Sequence, residues 1–430
     1  MTIRDHSRAP AEVAGVAAIL GEVGRHQRAS GGRLHLVPSE NRSSLASRLP
    51  HLAEAALRYA FPGPGGKDNW AWPGTTDLLS IERYARQALA DQLDARFVNL
   101  KPVSGVSALT IALSALAGPG DVVWNIGEGD GGHGSTRFIG DRLGLSMRSL
   151  PFDPGRFAID MDRFAVALRG TAAPTLVYLD AFMCLFPHDL AALRQVLPAG
   201  TVIHYDASHT LGLIAGGAFQ SPLREGADTV GGSTHKTYPG PHKGVLATNS
   251  REVADRIDLH ASHFVSHHHP ADVAALAIAA AEMTARGPAY AHRTVDNARH
   301  LGRALTERGF HVCAASMGYT ACHQLWIDIA PHVPADTASR LLYAAGLVVN
   351  AIPIPYLSSP GLRLGVQEAT WTGMGVTEMD TIADVFADVL RDGHAPERGG
   401  WRIRELIDSH ICPPDPALVG QALTLIGVRR

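Results

Sequence analysis

The chemistry this sequence can offer is densest around one lysine. In Asp228-Thr229-Val230-Gly231-Gly232-Ser233-Thr234-His235-Lys236-Thr237-Tyr238-Pro239-Gly240-Pro241 an apolar run gives way to hydroxyls, an imidazole and an amine, then to a Pro/Gly turn. A lysine amine attacks carbonyls to form a Schiff base when burial or neighbouring cations leave part of it neutral. Ser233 and Thr234 carry hydroxyls suited to phosphate, and His235 sets a ring nitrogen beside the amine. A strand-end lysine by itself is ordinarily a solvated surface group, so the reading depends on its company.

Three other windows supply that company. Val202-Ile203-His204-Tyr205-Asp206-Ala207-Ser208-His209 closes an apolar strand with an aspartate, 236 − 206 = 30 residues before the lysine. A carboxylate there can pair with a pyridinium nitrogen and keep a heteroaromatic ring protonated, and His209 can reach the same ring's phenolic oxygen. Ser104-Gly105-Val106-Ser107 opens a helical pattern, where free N–H groups and the positive dipole end favour a phosphate. Gly131-Gly132-His133-Gly134 carries an imidazole on a glycine turn, suited to stacking on a flat ring. Each window alone has a plain structural reading. Together, in the order phosphate cup, stacking His, ring-nitrogen Asp and Schiff-base Lys, they are far more specific.

Such groups need a scaffold that brings strand ends together. Segments 120–126, 175–179, 201–206, 227–232 and 244–249 read as buried strands, and helical patterns at about 77–94, 105–117, 160–169 and 188–196 separate some of them. This alternation predicts an α/β fold, with a mostly parallel sheet covered by helices on both faces. Ligands bind such sheets at the carboxyl ends of the strands, where all four windows fall. An N-terminal arm is expected at 1–45, with a helix over about 10–28 ending before Gly31-Gly32. A large domain is expected at 46–295 and a smaller α/β domain at 296–430. A long alanine-rich helix at about 271–308 leads into the second domain, which has a strand at 320–329 and a helix at about 335–346. Its final helix is expected near 378–391, capped by Thr377.

Bulk properties narrow the class. A formal charge of 38 − 41 = −3 provides no basic field for nucleic acid or anionic lipid. Cys184, Cys313, Cys322 and Cys412 lie far apart and form no CxxC pair, which argues against a disulfide framework or a zinc knuckle. No apolar run reaches membrane-spanning length, and the N-terminus has no signal-like apolar stretch, so a cytoplasmic protein is expected.

These residues resemble the serine hydroxymethyltransferase family, within the fold type I (aspartate-aminotransferase-like) pyridoxal-phosphate enzymes. Ser39-Glu40-Asn41, Ser104-Gly105, Gly131-Gly132-His133, Asp206-x-x-His209, Thr234-His235-Lys236-Thr237 and Gly361-Leu362-Arg363-Leu364-Gly365 match its motifs in order, from about residue 36 to 375. The resemblance implies pyridoxal 5′-phosphate on Lys236, flanked by His235. It implies Asp206 on the ring nitrogen, His209 on the phenolic oxygen and His133 stacked on the ring. Ser104, Gly105, Val106, Ser233 and Thr234 would serve the phosphate. Arg363, with Ser39 beside it, would grip an amino acid carboxylate bidentately. Tyr59 resembles a tyrosine given to the neighbouring subunit's site, which implies a homodimer. No metal is expected.

The departures from the family pattern are concentrated. The family's Tyr-Ala-Glu-Gly-Tyr-Pro-Gly becomes Tyr59-Ala60-Phe61-Pro62-Gly63, so Phe61 stands where a catalytic Glu serves one-carbon transfer with tetrahydrofolate. Losing an acid/base group of that kind typically removes ~10²–10⁴-fold of rate. Tandem tyrosines appear as Ala71-Trp72, after Trp70, and the expected arginine after Pro241 is His242, followed by Lys243. A Gly-Gly-Pro that usually reaches the other subunit's phosphate reads His267-His268-His269-Pro270. These histidines, His268 among them, could touch phosphate or substrate, lie on the surface, or hold a metal. Trp70, Trp72 and Trp371 could line a substrate pocket or pack a core.

The pattern spares the amino acid and cofactor machinery and alters what meets a second substrate. That resembles the threonine transaldolases, which cleave threonine and add the glycyl unit to another aldehyde. Glu40 and His133 are the candidate proton shuttles. The alternatives are a folate-dependent hydroxymethyltransferase, β-elimination or decarboxylation on the same scaffold, and a non-catalytic relative.

Overall fold

The computed structural model describes residues 10–61, 72–411 and 415–427; Trp70, Ala71 and Cys412 lie outside them. Seven strands form the larger sheet: β1 (Phe97–Asn99), β2 (Val122–Asn125), β3 (Ser146–Ser149), β4 (Leu176–Leu179), β5 (Val202–Asp206), β6 (Thr229–Ser233) and β7 (Gly244–Thr248). Their order is β1-β7-β6-β5-β4-β2-β3. Only β7 runs antiparallel to its neighbours. β2, β4, β6 and β7 are buried at every position, because helices cover both faces, and that is why they read as unbroken apolar or small-residue runs. The short edge strands β1 and β3 had no such signal; Ser146-Met147-Arg148-Ser149 is largely polar.

The intervening helices start where side chains cap them. Ser104, Asp160 and Asp189 each accept a backbone N–H from three residues on, starting Gly105–Leu116, Met161–Arg169 and Leu190–Val196. The lead helix, Pro10–Gly31, includes the first of the two glycines expected to end it.

A helix of 38 residues, Pro270–Glu307, joins two cores. Met283 and Tyr290 pack into the core of the larger sheet, and Ala298, Leu301 and Leu305 pack into the second. The boundary expected at 295/296 therefore falls inside a continuous helix. The second core surrounds a four-stranded antiparallel sheet of β8 (His311–Val312), β9 (Gln324–Asp328), β10 (Asn350–Ile352) and β11 (Gly361–Gly365), in the order β8-β9-β11-β10. Leu34 and Leu36 are buried in the same core, and Leu34–His35 pairs with Leu347–Val348. This ties the segment before Ser39 to the C-terminal part of the chain.

Two expectations about the C-terminal region are corrected. The helix near 378–391 begins at Val376 with Gly375 as its N-cap, not Thr377, because the Glu378 carboxylate reaches back to the Gly375 N–H at 2.6 Å. Nor is it the final helix: Glu397–His410 and Pro416–Leu425 follow. In Glu397–His410, Gly399 packs against the side chain of Val385, and Ile403 and Ile407 continue the buried stripe. Among the described residues no helix is long and apolar enough to cross a membrane.

Candidate active site

Four strand-end segments converge as the parallel sheet requires. Lys236 lies three residues beyond β6, and its side chain lines a cleft of about 360 Å³ together with Asp206 and His209 from the end of β5 and His133 from beyond β2. Gly105 and Val106, after β1, and Ser233 complete that side of the cleft. A larger groove of about 900 Å³ on the sheet's edge contains none of these groups, so size alone does not locate the chemistry.

Two glycines allow the close approaches. A Cβ on Gly105 would stand 2.1 Å from Ser233 Oγ, so only hydrogen fits there, and the helix start sits directly against the strand end. Ser104 Oγ accepts the Ser107 N–H at 3.0 Å, while the first N–H groups of Gly105–Leu116 have no intrahelical acceptor and can bind an anion. Gly131 has φ 96°, and a Cβ there would meet the Met183 carbonyl at 2.5 Å. That turn delivers His133, whose N–H donates to Asp180 Oδ2 at 3.2 Å and whose Nδ1 accepts the Ser135 N–H at 3.2 Å. Asp180 is buried, and burial pushes its carboxyl up to about 7. Burial also lowers His133 and keeps its ring neutral.

Asp206 is held at both oxygens. Oδ1 accepts the Ser208 N–H at 2.9 Å, and Oδ2 accepts the Tyr178 hydroxyl at 3.2 Å. His209 is buried, and burial, then the Lys236 and Arg363 charges, depress its pKa well below the usual imidazole range. Asn41 donates to the Lys236 carbonyl at 2.6 Å, fixing the lysine's backbone from the Ser39-Glu40-Asn41 segment.

Burial lowers the Lys236 amine to about 8, with Arg363 adding to the fall and Asp206 opposing it. A lowered lysine pKa enlarges the neutral, nucleophilic fraction, to about a tenth at pH 7 against a few parts in ten thousand for an ordinary lysine. The rate at which cofactor-free protein captures an aldehyde should therefore climb about tenfold per pH unit up to roughly pH 8 and then level off. Stopped-flow absorbance checks this; a rise continuing to pH 10 would mean an unperturbed amine.

Arg363 lies on β11 with only 5% of its surface exposed. Its guanidinium donates to Asn350 Oδ1 at 3.0 and 3.3 Å and to the Phe182 carbonyl at 3.3 Å, and burial lowers it to about 10. Among the described residues it has no carboxylate partner. A buried cation paired only with neutral oxygens is a site for an anion.

Other expected site residues lie elsewhere in the chain. Ser39 is half-buried in a turn closed by the Glu40 N–H on Val37 O at 3.1 Å. The exposed Glu40 carboxylate turns to His35 Nδ1 at 2.9 Å, outside the cleft. The Thr234 hydroxyl is spent on the Pro241 carbonyl at 2.8 Å. His235 stacks on the exposed His242 with centroids 4.0 Å apart, and burial lowers His235 to about 3. His268 points inward to Glu82 at 2.9 Å, while His267 stacks on Tyr59 at 3.8 Å. Tyr59 and Trp72 are exposed on either side of Phe61, with centroid distances of 5.7 and 6.0 Å to it. Trp371 packs in the large core against Tyr290 at 4.9 Å. The reading from sequence missed Asp180, Phe182, Asn350 and Gln324, which hold the site residues from behind. Only their placement at or next to strand ends could have marked them.

A flat aldehyde bearing a phosphate and a ring nitrogen matches this donor set. The partly neutral lysine can bond the aldehyde, the doubly anchored carboxylate can face the nitrogen, and the closely seated helix start can take the phosphate. The cofactor these groups fit is pyridoxal phosphate. Comparison with known proteins agrees. The serine hydroxymethyltransferase family profile matches residues 16–386. An L-threonine:uridine-5′-aldehyde transaldolase from Streptomyces sp is 38% identical over 390 residues, covering 88% of this chain and 93% of that one. A serine hydroxymethyltransferase from Korarchaeum cryptofilum is 36% identical over 403 residues, covering 89% and 92%. A crystal structure of an L-threonine transaldolase from Pseudomonas fluorescens superposes with a TM-score of 0.89 at 28% identity, covering 98% and 99%. The chain belongs to the serine hydroxymethyltransferase family, and is a fold type I, pyridoxal-phosphate-dependent transferase.

Proposed function

We propose that this enzyme breaks the Cα–Cβ bond of L-threonine and joins the retained glycyl unit to a second aldehyde. The observation that carries the reading is Arg363: a buried guanidinium, close enough to depress Lys236 and without a carboxylate partner among the described residues, calls for a carboxylate-bearing substrate. Phe61 favours an aldehyde over a folate as second substrate. An aromatic ring occupies the sequence position of the family's carboxylate and packs with Tyr59 and Trp72. The transaldolases among the relatives support the same choice.

Bound pyridoxal phosphate supplies an electron sink for a carbanion at Cα. Lys236 would anchor it, Asp206 would face its ring nitrogen, and the N–H groups of Gly105 and Val106 with Ser233 would hold its phosphate. Arg363 fixes the amino acid by its carboxylate, which aligns the Cα–Cβ bond. As that bond breaks, the β-hydroxyl loses a proton and acetaldehyde leaves. As the new bond forms, the acceptor's oxygen takes a proton, so the protons balance. The Lys236 amine, freed when the substrate's amino group takes its place, is the proton acceptor we assign. The ammonium so formed returns that proton to the acceptor's oxygen, and neutral His133, whose Nδ1 is occupied by Ser135, offers Nε2–H as a hydrogen-bond donor to that oxygen. Glu40, bonded to His35, has no part in this scheme. A cytoplasmic homodimer with Tyr59 given to the partner's site is the assembly we propose; sedimentation at the monomer mass would count against it. The three described cysteines are free thiols, as a reducing compartment allows.

The test is product analysis of the purified enzyme with L-threonine, L-serine or glycine, with and without aromatic or sugar aldehydes and with and without tetrahydrofolate. Acetaldehyde release from threonine with a new β-hydroxy-α-amino acid appearing only when an aldehyde is added is the expected result. Folate-dependent interconversion of serine and glycine at ordinary rates would overturn it, as would release of pyruvate and ammonia. No turnover at all would mark a non-catalytic relative.

A further inference from the structure

Gln324 is fully buried on β9, and its amide has three neighbours that together fix its orientation. Its Nε2 donates to the Phe182 carbonyl at 3.0 Å and to His209 Nδ1 at 3.3 Å, while its Oε1 accepts the Trp326 indole N–H at 3.4 Å. A carbonyl only accepts and an indole N–H only donates. Turning the amide over would set oxygen against oxygen and N–H against N–H, so the NH₂ group must face His209. His209 Nδ1 is then an acceptor. A neutral imidazole has one proton, which must lie on Nε2. Burial and the surrounding cations keep the ring neutral.

We infer that Gln324 is a positioning residue that sets the tautomer of His209, making the ring a donor at Nε2 in the Lys236 cleft. Nε2 has no protein partner among the described residues, so it is free to bind an oxygen of the bound cofactor that carries negative charge. The same amide also reaches the amino acid end of the site. The Phe182 carbonyl that receives Gln324 receives Arg363 as well, and Trp326 is paired directly opposite Arg363 across β9 and β11. One side chain of the smaller sheet thus registers a group at the cofactor ring against the group that would hold the substrate.

The inference rests on the Lys236 cleft being the cofactor site, and the two can fail separately. If that site reading is wrong, the wild-type enzyme shows no visible cofactor band that depends on Lys236. If the cleft is right, a neutron structure of the holoenzyme tests the tautomer directly. Deuterium on Nε2 and none on Nδ1 is the expected result, and the reverse overturns the proposal. Two variants add a functional readout. Gln324→Met should lower kcat about tenfold with little change in KM and shift the absorbance titration of the bound cofactor. Gln324→Glu should behave like wild type only at low pH, where its protonated carboxyl donates to Nδ1, and lose activity as the pH rises and the carboxylate draws the proton to Nδ1. A Gln324→Glu pH profile parallel to wild type would show that residue 324 acts through packing alone.

Discussion

Lys236→Ala should abolish the visible absorbance of the purified enzyme and reduce its turnover of amino acids by at least about 10³-fold, the combined scale of losing a covalent anchor and a proton carrier. The argument does not rest on its pKa, because burial brings a second lysine, Lys243, to about 8 as well. Geometry separates the two. Lys243 is completely buried, and its amine donates to the carbonyls of Pro102 at 3.3 Å and His268 at 3.0 Å. It ties one loop to another and is not part of the cleft wall. Lys236 lines the cleft with Asp206, His133 and His209. Lys243→Met should therefore keep the visible band even if it unfolds at lower temperature. A band that survives Lys236→Ala and disappears with Lys243→Met would reverse the assignment.

Arg363→Ala should lower kcat/KM for the amino acid by about 100-fold or more while leaving the visible band intact. Removing one partner of a buried ion pair costs about 3–5 kcal/mol, and each 1.36 kcal/mol is a factor of ten. Much of this should appear in KM, since the carboxylate is bound in the ground state as well as in the transition state. Arg363→Lys should fall between the two. It keeps a charge but lacks the planar fork, and a lysine cannot hold Asn350 and Phe182 while still gripping two carboxylate oxygens. Steady-state kinetics with L-threonine checks the series. An unchanged KM would place carboxylate binding elsewhere, and loss of the band would mean that Arg363 serves the cofactor.

Much of this protein was legible before folding was considered, for a local reason. The central strands are buried on both faces, so most of their side chains are apolar or small, and polar residues lie at or just beyond the carboxyl ends of the parallel ones, as at Asp180, Asp206 and Ser233. Asp206, His209, Lys236 and His133 announce themselves because type, spacing and position at a strand end all lie within a few residues of chain. Phe61 is equally a fact of sequence: an aromatic stands where the pattern has a carboxylate. The parallel architecture follows from the alternation of strands and helices, and the cofactor and the family from the resemblance that these motifs carry.

What tertiary structure decided are the properties that depend on residues distant in the chain. Whether Lys236 or Lys243 faces the cleft depends on the carbonyls each amine meets, and those come from segments more than a hundred residues apart for Lys243 and Pro102. Glu40, read as a proton shuttle, is taken by His35. Thr234, read as a phosphate ligand, closes its own loop on Pro241, and His268 is drawn inward by Glu82. Conversely, Gln324 sits in an ordinary buried strand and carries no motif. Its role arises only because β9 of the smaller sheet packs beside His209, 115 residues earlier in the chain. A sequence identifies which groups could do the chemistry; the proton and charge state of each is set by neighbours that only the folded chain brings together.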